Sequence, residues 1–189
     1  MTDQMTTPGQ TIGPFYGYAL PYERGHELVG PADHRAIHLH GTVFDGEGTP
    51  VPDALLEIRQ AGIDGAMSAV PGSLRRDGHF TGWGRVAVDS DGRYSFTTCE
   101  PGASAGDVPP FISVVVFARG LLDCLFTRVY LPEHRALLDR APAFADLPPH
   151  RLRTLVAERT ETGDLRFDIH LQGERETVFL SFPRHGRTP

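Results

Sequence analysis

His38 and His40 stand at alternate positions of the strand-like run IHLH, so their imidazoles share one face and could ligate a transition metal together. Two imidazoles do not complete a site, and no Cys or carboxylate cluster flanks them at ligand spacing. Both are therefore read first as solvent-facing side chains. Cys99 and Cys124 fall in separate strand-like segments without CxxC spacing, and two such thiols make neither a disulfide framework nor a zinc site. They read as buried thiols. Asp45, Glu47 and Asp53 lie around a Gly- and Pro-rich turn, where carboxylates more often accept backbone N–H bonds than perform acid–base chemistry. The chain has no GxSxG elbow, no Walker loop and no GxGxxG, and Gly82-Trp83-Gly84 is too short to cradle a phosphate. Trp83 is open between core and interface.

The elements that would position these residues are strands. A chain of 189 residues, 40% hydrophobic, can bury one sizeable core. Its 21 glycines and 16 prolines suit short strands joined by tight turns. Residues 1–35 hold a segment rich in Gly, Pro, Thr and Tyr without helical period, which predicts an extended N-terminal arm lying across a neighbour rather than in the core. Residues 36–189 are expected to form a single antiparallel β-sandwich domain with one or two short helices. AIHLHGTVFD, the turn Asp45-Gly46-Glu47-Gly48 and VPDALLEIRQA read as a hairpin, with Leu56 and Ile58 alternating against Glu57 and Arg59. Gly62 to Gly84 is a polar, Gly-rich excursion of the kind that is more often functional than structural.

Three further strand runs follow: GRVAVDSDGRYSFTT with a turn at Asp91-Gly92, PFISVVVFARG, and LDCLFTRVYLP. Leu152, Leu155 and Val156 share a face, predicting a helix over 149–161 that Gly163 ends. LRFDIHL and ETVFLSF are expected to close the sheet as two strands around Gln172-Gly173-Glu174. The formal charge of −6 and the dispersed basic residues argue against a nucleic-acid partner. No apolar run approaches the roughly 20 residues that span a bilayer, and the start lacks a signal-like charged and apolar pair of regions, so a cytoplasmic protein without a membrane partner is expected.

TPGQTIGPFY (7–16), GTVFDGEGTPVPDALLEIRQA (41–61), DSDGRYSFTT (89–98) and RFDIHLQGERETVFLSF (166–182) together resemble the intradiol ring-cleaving dioxygenases, in order along nearly the whole chain. That family's ferric iron is held by two Tyr and two His, phenolates suiting a hard ferric ion and neutral imidazoles completing the set. On this resemblance the ligand positions read Met67, Ser104, Phe111 and Ser113, and no Tyr lies between Tyr22 and Tyr94. An arginine that precedes the His pair in catalytic relatives is replaced by Val108. Four ligands out of four are absent, which implies a metal-free chain.

The resemblance therefore implies the non-iron subunit of a hetero-oligomeric member of the family, inactive alone. Its partner is a subunit of similar fold that binds Fe(III), and the assembly opens 3,4-dihydroxybenzoate with O2 to 3-carboxy-cis,cis-muconate. No catalytic residue is expected in this chain itself. Thr11, Gly13, Pro14, Phe15 and Arg119 match residues that wall the substrate cavity in such an assembly. Gly13 permits close backbone approach, Pro14 stiffens the arm, and Phe15 offers an apolar face to an aromatic ring. A guanidinium at Arg119 could attract a carboxylated substrate, with Arg128 the alternative and a surface or interchain ion pair an equal reading for either. The competing function is a non-catalytic sandwich module for binding or scaffolding. A stand-alone hydrolase or metalloenzyme has only His38 and His40 behind it.

Overall fold

The computed structural model describes residues 11, 13, 15–68 and 80–182. β-Branched and aromatic runs form the principal strands: β1 (Ile37–Phe44), β2 (Leu55–Gln60), β3 (Trp83–Ala87), β4 (Arg93–Thr98), β5 (Phe111–Phe117) and β6 (Leu125–Tyr130). Three two-residue strands follow, β7 (Glu158–Arg159), β8 (Leu165–Arg166) and β9 (Ile169–His170). One sheet runs β4-β1-β8-β7 with β9 also pairing β1, and the other runs β3-β2-β5-β6.

Alternation decides which face each strand buries. In β5, Ile112, Val114 and Val116 point inward while Phe111, Ser113, Val115 and Phe117 are only half-buried. Leu39 and Val43 do the same for β1. The inward faces meet in one apolar cluster, Leu39, Val43, Phe96 and Leu165 from one sheet against Leu56, Ile58, Val114, Val116 and Val129 from the other. Each such side chain contributes about 1.5–3 kcal/mol on burial. A smaller cluster of Tyr130, Leu138, Leu152, Leu155 and Val178 lies under the helices α2 (Arg135–Leu138) and α3 (Pro149–Arg153).

The β-sandwich expected from the sequence is present, but its connections differ. β1 and β2 are not a hairpin; they belong to opposite sheets. The turn between them forms as expected, with Asp45 Oδ1 accepting the N–H groups of Glu47 and Thr49 at 2.9 and 2.8 Å. Phe44 then pairs with Pro50, but Pro50 and Pro52 have no N–H to extend a ladder, and the chain crosses to the other sheet. The Asp89–Arg93 turn likewise carries the chain from β3 in one sheet to β4 in the other.

The sandwich is also not wholly antiparallel, because β8 and β9 run parallel to β1. LRFDIHL is interrupted where Phe167 and Asp168 ride over Gly41. Phe167 N donates to His40 O at 2.8 Å, and Thr42 N donates to Asp168 Oδ1 at 3.0 Å. ETVFLSF bridges the two sheets: Thr177 N donates to His170 O at 3.0 Å, and Leu180 N to Phe126 O at 2.7 Å. The helix expected over 149–161 stops at Arg153, since Leu155 O accepts the N–H of Tyr130 at 2.8 Å and β7 follows.

The arm is not purely an arm. Residues 16–19 make the single turn α1 (Tyr16–Ala19), and Leu28 and Val29 are buried, with Leu28 N donating to Thr97 O at 2.7 Å. Leu28 joins the main core. The chain is thus fastened to the sandwich well before residue 35.

Candidate functional site

The ligand positions inferred from sequence converge. Met67, Ser104, Phe111 and Ser113 line one cavity of about 220 Å³, together with Arg59, Gln60, Ala61, Gly102, Pro109 and Pro110. β5 supplies Phe111 and Ser113 from its outward-facing positions, β2 supplies Arg59 and Gln60, and the excursion after β2 brings Met67 alongside. Buried Gln60 fixes the back wall, its Nε2 donating to Cys99 O at 2.8 Å and its Oε1 accepting from Thr98 Oγ1 at 2.7 Å.

These residues do not suit a ferric ion. A thioether, two hydroxyls and a phenyl ring replace the phenolates and imidazoles that a hard cation of this kind takes. The surrounding charge also opposes it. Register sets Ser113 opposite Arg59 on β2 and opposite Arg128 on β6, so two cationic side chains flank the position. Phe111 has become a packing residue. Its ring lies 5.8 Å from that of Tyr130, and the Arg128 guanidinium sits 4.1 Å above it. Among the described residues, no group of three or more His, Cys, Asp and Glu is placed to hold a metal ion.

Arg119 lies elsewhere. It lies two residues past β5, at the end opposite the cavity, and the strand from Ser113 to Phe117 alone spans about 13 Å. Gly120, at φ 93°, turns the chain directly after it. Arg119 Nε is 2.9 Å from Asp53 Oδ2, and the arginine side chain remains 65% exposed. Tyr16 ties the arm to this corner, its hydroxyl donating to Asp53 O. Burial and the nearby Asp53 carboxylate push the Tyr16 phenol above its ordinary pKa, against an opposing hydrogen bond from the Arg119 backbone. Two of the arm residues singled out by sequence, Gly13 and Phe15, stand within three residues of this anchor. Gly13 has φ 70° with open space around its Cα, and Phe15 is 78% exposed. Thr11 is exposed, and Pro14 lies outside the described residues.

The sequence reasoning missed Tyr16, Asp53 and Arg59. The sequence marks Asp53 only as a turn acid. Tyr16 directly follows the GPF motif, which was the one available signal for it. Arg128 does not share the Arg119 corner; besides covering Phe111, it donates from Nη1 to the Tyr130 hydroxyl at 3.3 Å.

The other candidates take ordinary roles. His38 is exposed, with Asp164 Oδ1 accepting its backbone N–H at 2.7 Å and standing 3.2 Å from its Nδ1. Partial burial works against the Asp164 carboxylate, but the His38 N–H and the Thr162 hydroxyl outweigh it and hold its pKa below the usual range. Cys99 is buried as expected, whereas Cys124, at the edge of β6, is only half-buried. Trp83 proves to be a half-buried cover on the outer face of β3. Its ring stacks on Tyr22 at 6.0 Å, and the Arg85 guanidinium lies 5.0 Å from its centre.

A family model described as Dioxygenase matches residues 13–173. The chain is 38% identical to the protocatechuate 3,4-dioxygenase alpha chain of Burkholderia cepacia, over 95% of this chain and 99% of that one. It is 34% identical to the alpha chain of the same enzyme from Pseudomonas putida, over 93% and 96%. The Burkholderia cepacia beta chain is 30% identical, over 85% of this chain and 79% of that one. Among solved structures, the dioxygenase domain of a carbohydrate-binding fusion from Streptomyces sp. SirexAA-E superposes with a TM-score of 0.58 at 23% identity, covering 88% of this chain and 98% of that one. That likeness is one of fold.

Proposed function

The chain belongs to the dioxygenase family, the intradiol ring-cleaving enzymes, and on that premise we propose that it is the alpha-type, non-iron subunit of a protocatechuate 3,4-dioxygenase. Its partner is a beta-type chain of similar fold. The partner holds Fe(III), which activates the dihydroxybenzoate toward O2. Both oxygen atoms enter the product, and the ring bond between the two hydroxylated carbons breaks to give 3-carboxy-cis,cis-muconate.

The observation that carries this reading is the division of the chain into two dissimilar ends of β5. At one end, all four ligand positions gather into one cavity and offer no donor set for iron. At the other, the arm and Arg119 are held at the surface by Tyr16 and Asp53. Thr11, Gly13, Pro14, Phe15 and Arg119 then wall the partner's substrate cavity. Phe15 lends an apolar face to the ring, and the Arg119 guanidinium lends positive charge to the substrate carboxylate. Exposed Phe15, Tyr18 and Leu122, on the arm and on the turn after Arg119, supply apolar surface for the partner to cover. No helix among the described residues is long and apolar enough to cross a membrane.

Co-expression tests the reading. The chain is produced alone and together with a similar chain that carries two Tyr and a His-x-His, and ring opening of 3,4-dihydroxybenzoate is followed. Turnover by the pair and none by either chain's metal-free form is expected. Turnover by this chain alone, or failure of the two to co-purify, overturns it, the second outcome favouring a scaffold module.

A further inference from the structure

The cavity at the vacated positions retains features that the catalytic role above leaves unused. Its volume, about 220 Å³, falls below that of pockets for drug-sized ligands and suits one small ring. Met67, Pro109, Pro110 and Phe111 give it apolar walls, and Ser104 and Ser113 contribute hydroxyls. Among the described residues, Arg59 is its one charged lining residue.

Arg59 has no carboxylate partner among the described residues, whereas Arg85, one strand over, is committed to Glu57 at 2.5 Å. Arg128 is engaged by Phe111 and Tyr130. Arg59, at an exposed position of β2, lines the cavity together with apolar walls and two serine hydroxyls, a set that matches a ligand pairing a planar apolar body with a carboxylate. The carboxylate can accept two parallel N–H bonds from a guanidinium fork.

We propose that this cavity binds a small aromatic monocarboxylate, its carboxylate on Arg59 and its ring against Met67, Pro110 and Phe111. The bound molecule is not turned over, because the described lining of the cavity offers no ligand set for the iron that the ring-opening chemistry needs. The site requires neither the partner nor its metal. It therefore stands or falls separately from the subunit assignment.

The test uses 4-fluorobenzoate, which lacks the adjacent hydroxyls that chelate iron, followed by fluorine NMR on the full chain in whatever assembly it is purified. One saturable site per copy of this chain is expected, besides any that the partner's substrate cavity provides. Arg59→Gln should weaken that site at least tenfold, and the neutral 4-fluorobenzamide should bind the unaltered chain at least tenfold more weakly. Met67→Trp, which fills the cavity from a position already 52% exposed, should abolish the site while leaving the fold intact by circular dichroism. No saturable binding at millimolar probe overturns the proposal. So does a number of sites and an affinity unchanged in both variants, because the probe would then sit elsewhere in the assembly.

Discussion

In the proposed site, Arg119 acts through charge and not through packing. Its pair with Asp53 is largely solvent-exposed, and such pairs contribute only about 0–1 kcal/mol, so its removal leaves the fold in place. In the assembled enzyme, Arg119→Ala is expected to raise KM for 3,4-dihydroxybenzoate several-fold with iron content unchanged. Steady-state constants equal to those of the unaltered enzyme would take Arg119 out of the site. Sequence singled out Phe111, Ser113 and Arg119 by their offsets along one recognisable strand and Met67 more loosely within the excursion, and the structure adds that Met67, Ser104, Phe111 and Ser113 line one cavity. Tyr16 and Arg59 were not legible in the same way. Tyr16 acquires its role from Asp53, 37 residues further along the chain, and Arg59 acquires its role from cross-strand register with Ser113. Both relations exist only after the sheets have formed.

At the scale of elements, alternation of apolar and polar residues located the strands, while the connections between them depended on details that periodicity does not carry. The Asp45 and Asp89 turns look like hairpin turns locally. Pro50 and Pro52 make the first a crossing, since each removes a donor from the ladder that a hairpin would need. The apolar face over 152–156 likewise satisfies a helical period, yet Leu155 gives its carbonyl to Tyr130 of an edge strand. The interruption between β8 and β9 depends on Gly41, where a Cβ would stand 2.0 Å from the carbonyl oxygen of Phe167. Because that neighbour is backbone, the strands themselves must shift. Gly41→Ala is expected to cost on the order of 2–3 kcal/mol in urea unfolding. Gly30→Ala, where a Cβ meets nothing within 4 Å, should change stability by no more than about 0.5 kcal/mol. Equal midpoints for the two variants would remove this explanation of the interruption.

For the whole molecule, pH reports how the phenols are built in. Tyr94 is fully buried with its hydroxyl donating to Phe167 O, and burial, followed by the nearby Asp168 carboxylate, raises its pKa far above the ordinary phenol range. Burial also raises Tyr130 and Tyr16. Above pH of about 10 the unfolded chain loses these protons while the folded chain keeps them. The stabilisation from this source is therefore complete below that pH and falls as pH rises through the folded-state values. Unfolding midpoints from pH 8 to 11 should be level and then decline, and Tyr94→Phe should make the decline shallower. A decline identical in Tyr94→Phe would assign it to other groups.

The proposed division of labour between two chains of one fold is measured most directly by the distribution of iron. Metal analysis and visible absorption of this chain alone and of the two-chain assembly, each loaded with ferric iron and desalted, should give no bound iron and no phenolate-to-metal band for the single chain. The assembly should carry about one iron per pair of chains with that band present. Stoichiometric ferric iron on the single chain, with a phenolate band, would contradict the account.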